Sequence, residues 1–126
     1  MRLLAPITVI LIFIIASGIW VNSSLESSTI TITKHIAQVN KEIRNDNWEK
    51  AVTEIEELEK KWEKEIKWWP ILLDHQEIDN IEFSLAKVKE YIINESKPLA
   101  LGQLSELKAK VEHIPEKEKF ILKNVL

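Results

Sequence analysis

Residues 31–63 read TITKHIAQVNKEIRNDNWEKAVTEIEELEKKWE, and residues 80–112 read NIEFSLAKVKEYIINESKPLALGQLSELKAKVE. Laid on each other without a gap, at a spacing of 49, they are identical at ten of 33 positions: 32, 37, 39, 43, 45, 51, 57, 58, 61 and 63 of the first copy. Ile36 also falls on Leu85, Ile55 on Leu104 and the acidic Asp46 on Glu95. The match includes turn positions, where two unrelated amphipathic helices have no reason to agree. The chain therefore reads as a duplication whose unit is a helical hairpin.

In the first unit Ile32, Ile36, Val39 and Ile43 recur at steps of four and three, one apolar stripe of a helix over about 31–44. Its opening, Thr29 to Thr33, alternates in the manner of a strand and leaves the start open. Asp46 is followed three residues later by Glu49, the spacing of a capping box, and is expected to open the second helix. That helix carries Trp48, Val52, Ile55, Leu58, Trp62, Ile66 and Trp69 on one face. Opposite them Glu56–Lys60, Glu57–Lys61 and Glu63–Lys67 are i,i+4 pairs in the favourable order, as on a solvated face. Core packing is the expectation for the striped tryptophans. Trp68 falls one position off the stripe and has the better claim to an exposed role.

The second unit repeats the scheme after Pro70. Asp74 with Glu77 is expected to cap a helix striped by Ile78, Ile81, Leu85, Val88 and Ile92. Pro98 suits the first turn of the next helix, which points Leu101, Leu104, Leu107 and Val111 inward and is weakened at Gly102. Pro115 is expected to start a short last helix through Phe120, Ile121 and Val125. The expected fold is all-α: an up-down bundle over 30–126, made of hairpins 30–69 and 74–113 and closed by a helix over 115–125.

The N-terminus is of another kind. Met1 and Arg2 precede an uncharged run from Leu3 to Val21, 21 − 3 + 1 = 19 residues. At ~1.5 Å per residue a helix of that length matches the ~30 Å hydrocarbon layer. Residues 1–21 are read as a transmembrane anchor and 22–29 as a polar linker. With Arg2 on one flank and no Lys or Arg before Lys34 on the other, the N-terminus is expected in the cytoplasm and the bundle outside it. Trp20 would sit at the outer headgroup level. The competing expectation is a signal peptide cleaved near Ala16-Ser17-Gly18 and a secreted domain, although a signal h-region usually has only ~7–15 residues.

Composition removes several functions. Without cysteine there is no disulfide framework, no cysteine-ligated zinc, no thiol chemistry and no lipidated cysteine. Gly18 and Gly102 are the only glycines, too few for a glycine-rich phosphate loop. Lys plus Arg number 17 against 20 Asp plus Glu, a net charge of −3, which argues against a nucleic-acid surface. Asn22-Ser23-Ser24 and Asn94-Glu95-Ser96 match a glycosylation sequon, which matters only in a eukaryotic secretory route. No serine has the setting of a nucleophile and no carboxylate pair is marked for acid–base work, so no enzyme and no cofactor are expected.

The segment Asn45-Asp46-Asn47-Trp48-Glu49-Lys50-Ala51 is similar to the inter-helix turn of tetratricopeptide repeats, but the spacing of 49 departs from their 34 and their turn glycine is absent. A wider resemblance rests on the anchor, the spaced tryptophans, the Trp68-Trp69 pair, His75-Gln76-Glu77-Ile78-Asp79, and His113-Ile114-Pro115-Glu116 with Asn124. In these features the chain resembles a bacterial domain-of-unknown-function family, number 4363, found mainly in anaerobic spore-forming Gram-positive bacteria. The resemblance implies one anchor, an exported helical domain and a neighbouring membrane protein. It implies no activity.

Three histidines remain. His75, Asp79 and Glu82 follow i, i+4, i+7 spacing, so an imidazole and two carboxylates can share one helix face and ligate a metal. The same spacing fits an ordinary polar face. His113 closes a helix C-terminus, where a protonated imidazole is favoured, and His35 has no suggestive neighbours. With helices alternating in direction, Trp68, Trp69, His75 and His113 are expected together at the membrane end, as candidates for contact with lipid or a membrane partner. The expected function is a membrane-anchored interaction or structural module, an accessory subunit of a membrane protein. The alternative is a metal or small-ligand sensor using the His75 face.

Overall fold

The computed structural model describes residues 2–67 and 75–125, without the side chains of 21, 22, 25 and 115–125. Asp74, Trp68 and Trp69 lie outside the described residues. Four α-helices are described: α1 Leu4–Arg44, α2 Trp48–Glu65, α3 His75–Ile93 and α4 Lys97–Val125. Each packs on its neighbours in sequence and α4 closes on α1, the ring of an up-down-up-down bundle. The all-α expectation holds, with no strand among the described residues.

The duplication is visible residue by residue. Ile32, Ile36, Val39, Ile43, Ala51, Ile55, Leu58 and Trp62 are buried, and so are Ile81, Leu85, Val88, Ile92, Ala100, Leu104, Leu107 and Val111, each 49 positions further on. Ala51 and Ala100 have no exposed surface, which lets helices approach closely beside both turns. The stripes cluster because each buried aliphatic side chain stabilises by roughly 1.5–3 kcal/mol over exposure.

The turns repeat the same way. After α1, Asp46 N–H donates to Ile43 O at 3.1 Å and Asn47 N–H to Glu42 O at 2.9 Å; after α3, Glu95 N–H donates to Ile92 O at 3.0 Å and Ser96 N–H to Tyr91 O at 2.9 Å. This pair of bonds is the Schellman closure of a helix, which needs one residue in the left-handed region. Asp46 (φ 59°) and Glu95 (φ 54°) supply it in place of glycine. Asp46 is therefore not the cap of α2: that position belongs to Asn47, which makes no side-chain capping bond. The carbonyls ending α1 claimed the turn first.

Two boundaries differ from expectation. Residues 22–29 form no linker: α1 runs unbroken for 41 residues, ~60 Å at 1.5 Å per residue. No proline or glycine lies between Gly18 and Arg44 to stop it. Several hydroxyls of this stretch find partners within the helix or against the bundle. Thr31 Oγ1 donates to Ser27 O at 3.1 Å, and Ser28, buried with Thr29, donates to Glu65 Oε2 at 2.5 Å. Nor does Pro115 begin a separate helix, because α4 continues through it to Val125. A proline forfeits one backbone bond, and the buried Ile114 beside it holds the chain on the core at that point.

Among the described residues no helix is long and apolar enough to cross a membrane. Within α1 the fully described part of the apolar run is Leu4 to Trp20, 20 − 4 + 1 = 17 residues of the 19 in the sequence.

Candidate functional site

The residues singled out from sequence spread over the outside of α3 and α4. His75, Asp79 and Glu82 are exposed. Glu82 accepts a long hydrogen bond, 3.4 Å, from Nε1 of the buried Trp62. That bond gives the indole a polar outlet and ties α3 to α2, beside the Lys89–Glu59 ion pair at 3.4 Å. His113 lines a shallow groove of about 180 Å³ with Glu77, Asn80, Ile81, Lys110 and Ile114. The groove places His113 near the start of α3, the end where His75 lies. Ser28 and Glu65 lie beside Trp20 in another groove, so α2 also returns to the end of the bundle next to the apolar part of α1.

A different set of groups converges in the first hairpin. Ligand atoms of His35 on α1 and of Glu54 and Glu57 on α2 all lie within 4.8 Å of one another. Among the described residues this is the one group of histidine and carboxylates so arranged. His35 is half-buried, next to Ile36 on the core stripe, and its Nδ1 is buried with no hydrogen-bond partner. Glu59 Oε1 also lacks an aligned hydrogen bond, but Lys89 Nζ stands 3.4 Å from it and meets its charge. His35 Nδ1 has no such neighbour among the described residues. Sequence spacing missed the group because its members are on two helices. The available signal was their distance from the turn: His35 and Glu57 are each eleven residues from Asp46 (46 − 35 and 57 − 46).

The second hairpin holds a closed polar network at the corresponding place. Lys110 Nζ donates to Ser84 Oγ at 2.8 Å and stands 3.3 Å from Glu106 Oε1. Gln103 Nε2 donates to Glu106 Oε2 at 2.9 Å and to Ser84 Oγ at 3.3 Å. Hydrogen bonding from Lys110 and its charge hold the Glu106 carboxyl below the ordinary 4.5, against slight desolvation, with smaller help from Gln103 and Lys87. Across the far end of the bundle Lys97 Nζ reaches Arg44 O and Asp46 Oδ1, each at 3.1 Å, and so ties one turn to the other.

Residues 19–125 match the family described as a domain of unknown function, DUF4363. The chain belongs to that family. The match takes in the whole bundle and the end of the apolar run. No curated protein and no solved structure matches the chain.

Proposed function

We propose that this DUF4363 protein is a membrane-anchored helical interaction module, held by residues 3–21, with its bundle outside the cytoplasm and a membrane protein as its partner. The observation that carries this reading is the outer surface of α1. Leu4, Ile7, Val9, Ile10, Leu11, Ile12, Phe13 and Ile14 are each 55–72% exposed, on every side of the helix. Water is a poor solvent for such a surface: covering each of these side chains stabilises by roughly 1.5–3 kcal/mol. The bundle does not cover them, and a contiguous apolar surface of this kind marks contact with lipid or another protein. Counting Leu3 and Val21, the uncharged run reaches 19 residues, a spanning length. Trp20, 69% exposed at its end, has the amphipathic ring that suits the headgroup level.

Orientation follows from charge. Arg2 flanks one side, and the first basic residue on the other is Lys34, inside the bundle. Because α1 has no break between the apolar run and the core stripe, the anchor and the first bundle helix form one rod. Whatever sets the tilt of the anchor also sets the bundle against the membrane, as suits a structural or accessory subunit. The exposed Phe83 on α3, with Ile93 and Leu99 on either side of the second turn, offers apolar contacts that a partner would cover.

The test has two parts. Reporters fused after Leu126 should be active only if they work outside the cytoplasm, and a cytoplasmic signal would sink the topology. Crosslinking of the full-length protein in membranes should then capture a membrane protein, with several-fold less capture for Phe83→Ser or Leu99→Ser. Equal capture by the variants would remove that face from the interface.

A further inference from the structure

We propose that His35, Glu54 and Glu57 bind one divalent transition-metal ion, at the place that the Lys110 ammonium fills in the second hairpin. The duplication supplies the comparison. Moved on by 49, His35, Glu54, Glu57 and Lys61 become Ser84, Gln103, Glu106 and Lys110. In the second hairpin these four satisfy one another: the ammonium lies between Ser84 and Glu106, and the Gln103 amide donates to both. One negative charge meets one positive charge there.

In the first hairpin the same positions hold different chemistry. The donating amide of Gln103 becomes the Glu54 carboxylate, and the Ser84 hydroxyl becomes the His35 imidazole. Glu57 corresponds to Glu106, but Lys61 is exposed and no ion pair joins it to Glu57 among the described residues. Two carboxylates and an imidazole therefore face one another with no internal cation. The buried Nδ1 of His35 has no partner among the described residues, which leaves a ring nitrogen available to an ion.

The donor set selects the class of ion. Imidazole nitrogen with two carboxylate oxygens suits zinc or manganese better than calcium or magnesium, which take oxygen ligands. Bound to one zinc at ~2.0–2.2 Å each, such ligand atoms are roughly 3.4 Å apart in a tetrahedral site. The present spread, within 4.8 Å, closes by about an ångström through rotation of the two long glutamate side chains. Glu54 and Glu57, three residues apart on α2, reach the same side of the helix. His35 is seated between the buried Ile32 and Ile36 on α1. A metal here would pin α1 to α2 and keep at least one position open for water or a ligand from a partner. The site is distinct from the exposed His75 face and does not depend on the topology of the anchor.

The test uses the full-length chain in detergent, stripped of metal with a chelator and titrated separately with zinc chloride and manganese chloride. Calorimetry should give one ion per chain and the melting temperature should rise with metal; cobalt should develop visible absorption bands. The double variant His35→Ser/Glu54→Gln copies the second hairpin, so it should keep the wild-type helical signal. It should also lose affinity by more than about 100-fold, beyond the loss usual for removing an outer-sphere partner. His75→Ala/His113→Ala should bind as the wild type does. The proposal is overturned if the wild type shows no saturable binding of either metal, if His35→Ser/Glu54→Gln binds undiminished, or if binding is lost only with His75 and His113.

Discussion

Replacing Glu95 by glycine should stabilise the protein, although it removes a charged side chain and adds a residue that weakens helices. Glu95 closes α3 at φ 54°, a conformation that costs an L-residue about 1–2 kcal/mol and glycine almost nothing. Against that gain stands the greater freedom of glycine in the unfolded chain, worth about 0.4–1 kcal/mol. The net gain is about 0.5–1 kcal/mol, or roughly 3–6 °C in melting temperature for a bundle of this size. Thermal unfolding of the full chain in detergent, followed by circular dichroism at the helical band, measures it. Glu95→Ala is the control, because alanine also removes the charge but keeps the Cβ that clashes at positive φ. Asp46→Gly is a second control at the equivalent turn. There aspartate tolerates the left-handed region, and the substitution also breaks an exposed ion pair to Lys97 at 3.1 Å, worth ~0.2–1 kcal/mol. Its net effect should stay within about 0.5 kcal/mol of zero. A lower melting temperature for Glu95→Gly, or an equal rise for Glu95→Ala, would refute the role given to the turn.

Ile55→Ala and Leu104→Ala, at equivalent depth and 0% and 1% exposed, should each cost about 2–5 kcal/mol in denaturant unfolding, whereas Ile30→Ala, 55% exposed, should cost less than about 0.5 kcal/mol. Because the Glu106 carboxyl is held below 4.5 by Lys110, its contribution is present above that pH and is lost as pH falls further through the lowered value. Glu106→Gln should therefore flatten the acid limb of a plot of melting temperature against pH below 4.5 and leave its slope near neutrality unchanged. An acid limb as steep as that of the wild type would show that the Lys110 contact is not coupled to folding.

Much of the bundle was legible because it is periodic. Ile32, Ile36, Val39 and Ile43 had to share a face whatever they packed against, and the copy at Ile81, Leu85, Val88 and Ile92 showed that the face was used twice. The position of each turn followed from where the stripes stop. A continuous α1 was less legible, because serine and threonine hydroxyls can also bond the backbone in non-helical turns, and what they meet in the fold decides between the two. Thr31 found one in the Ser27 carbonyl, and Ser28 found one in Glu65, 37 residues away. The roles at Asp46 were hidden for a related reason. An acidic residue three positions before a glutamate resembles a cap, but the Schellman bonds closing α1 required that residue to turn left-handed.

The sequence by itself determined the hairpin unit, its duplication, the core stripes and the uncharged run at the N-terminus, because these depend on the order of residues along one helix at a time. Tertiary structure decided which polar groups meet. His35 stands eleven residues before Asp46 and Glu57 eleven after, and neither has a local pattern that marks it. Only when the turn folds α2 back along α1 do their ligand atoms, with that of Glu54, come within 4.8 Å of one another. In the other half the same fold brings Lys110 to Ser84 and Glu106 and closes the network with a side chain of its own. Periodicity places side chains on a face, but the charge they meet across it depends on the partner helix.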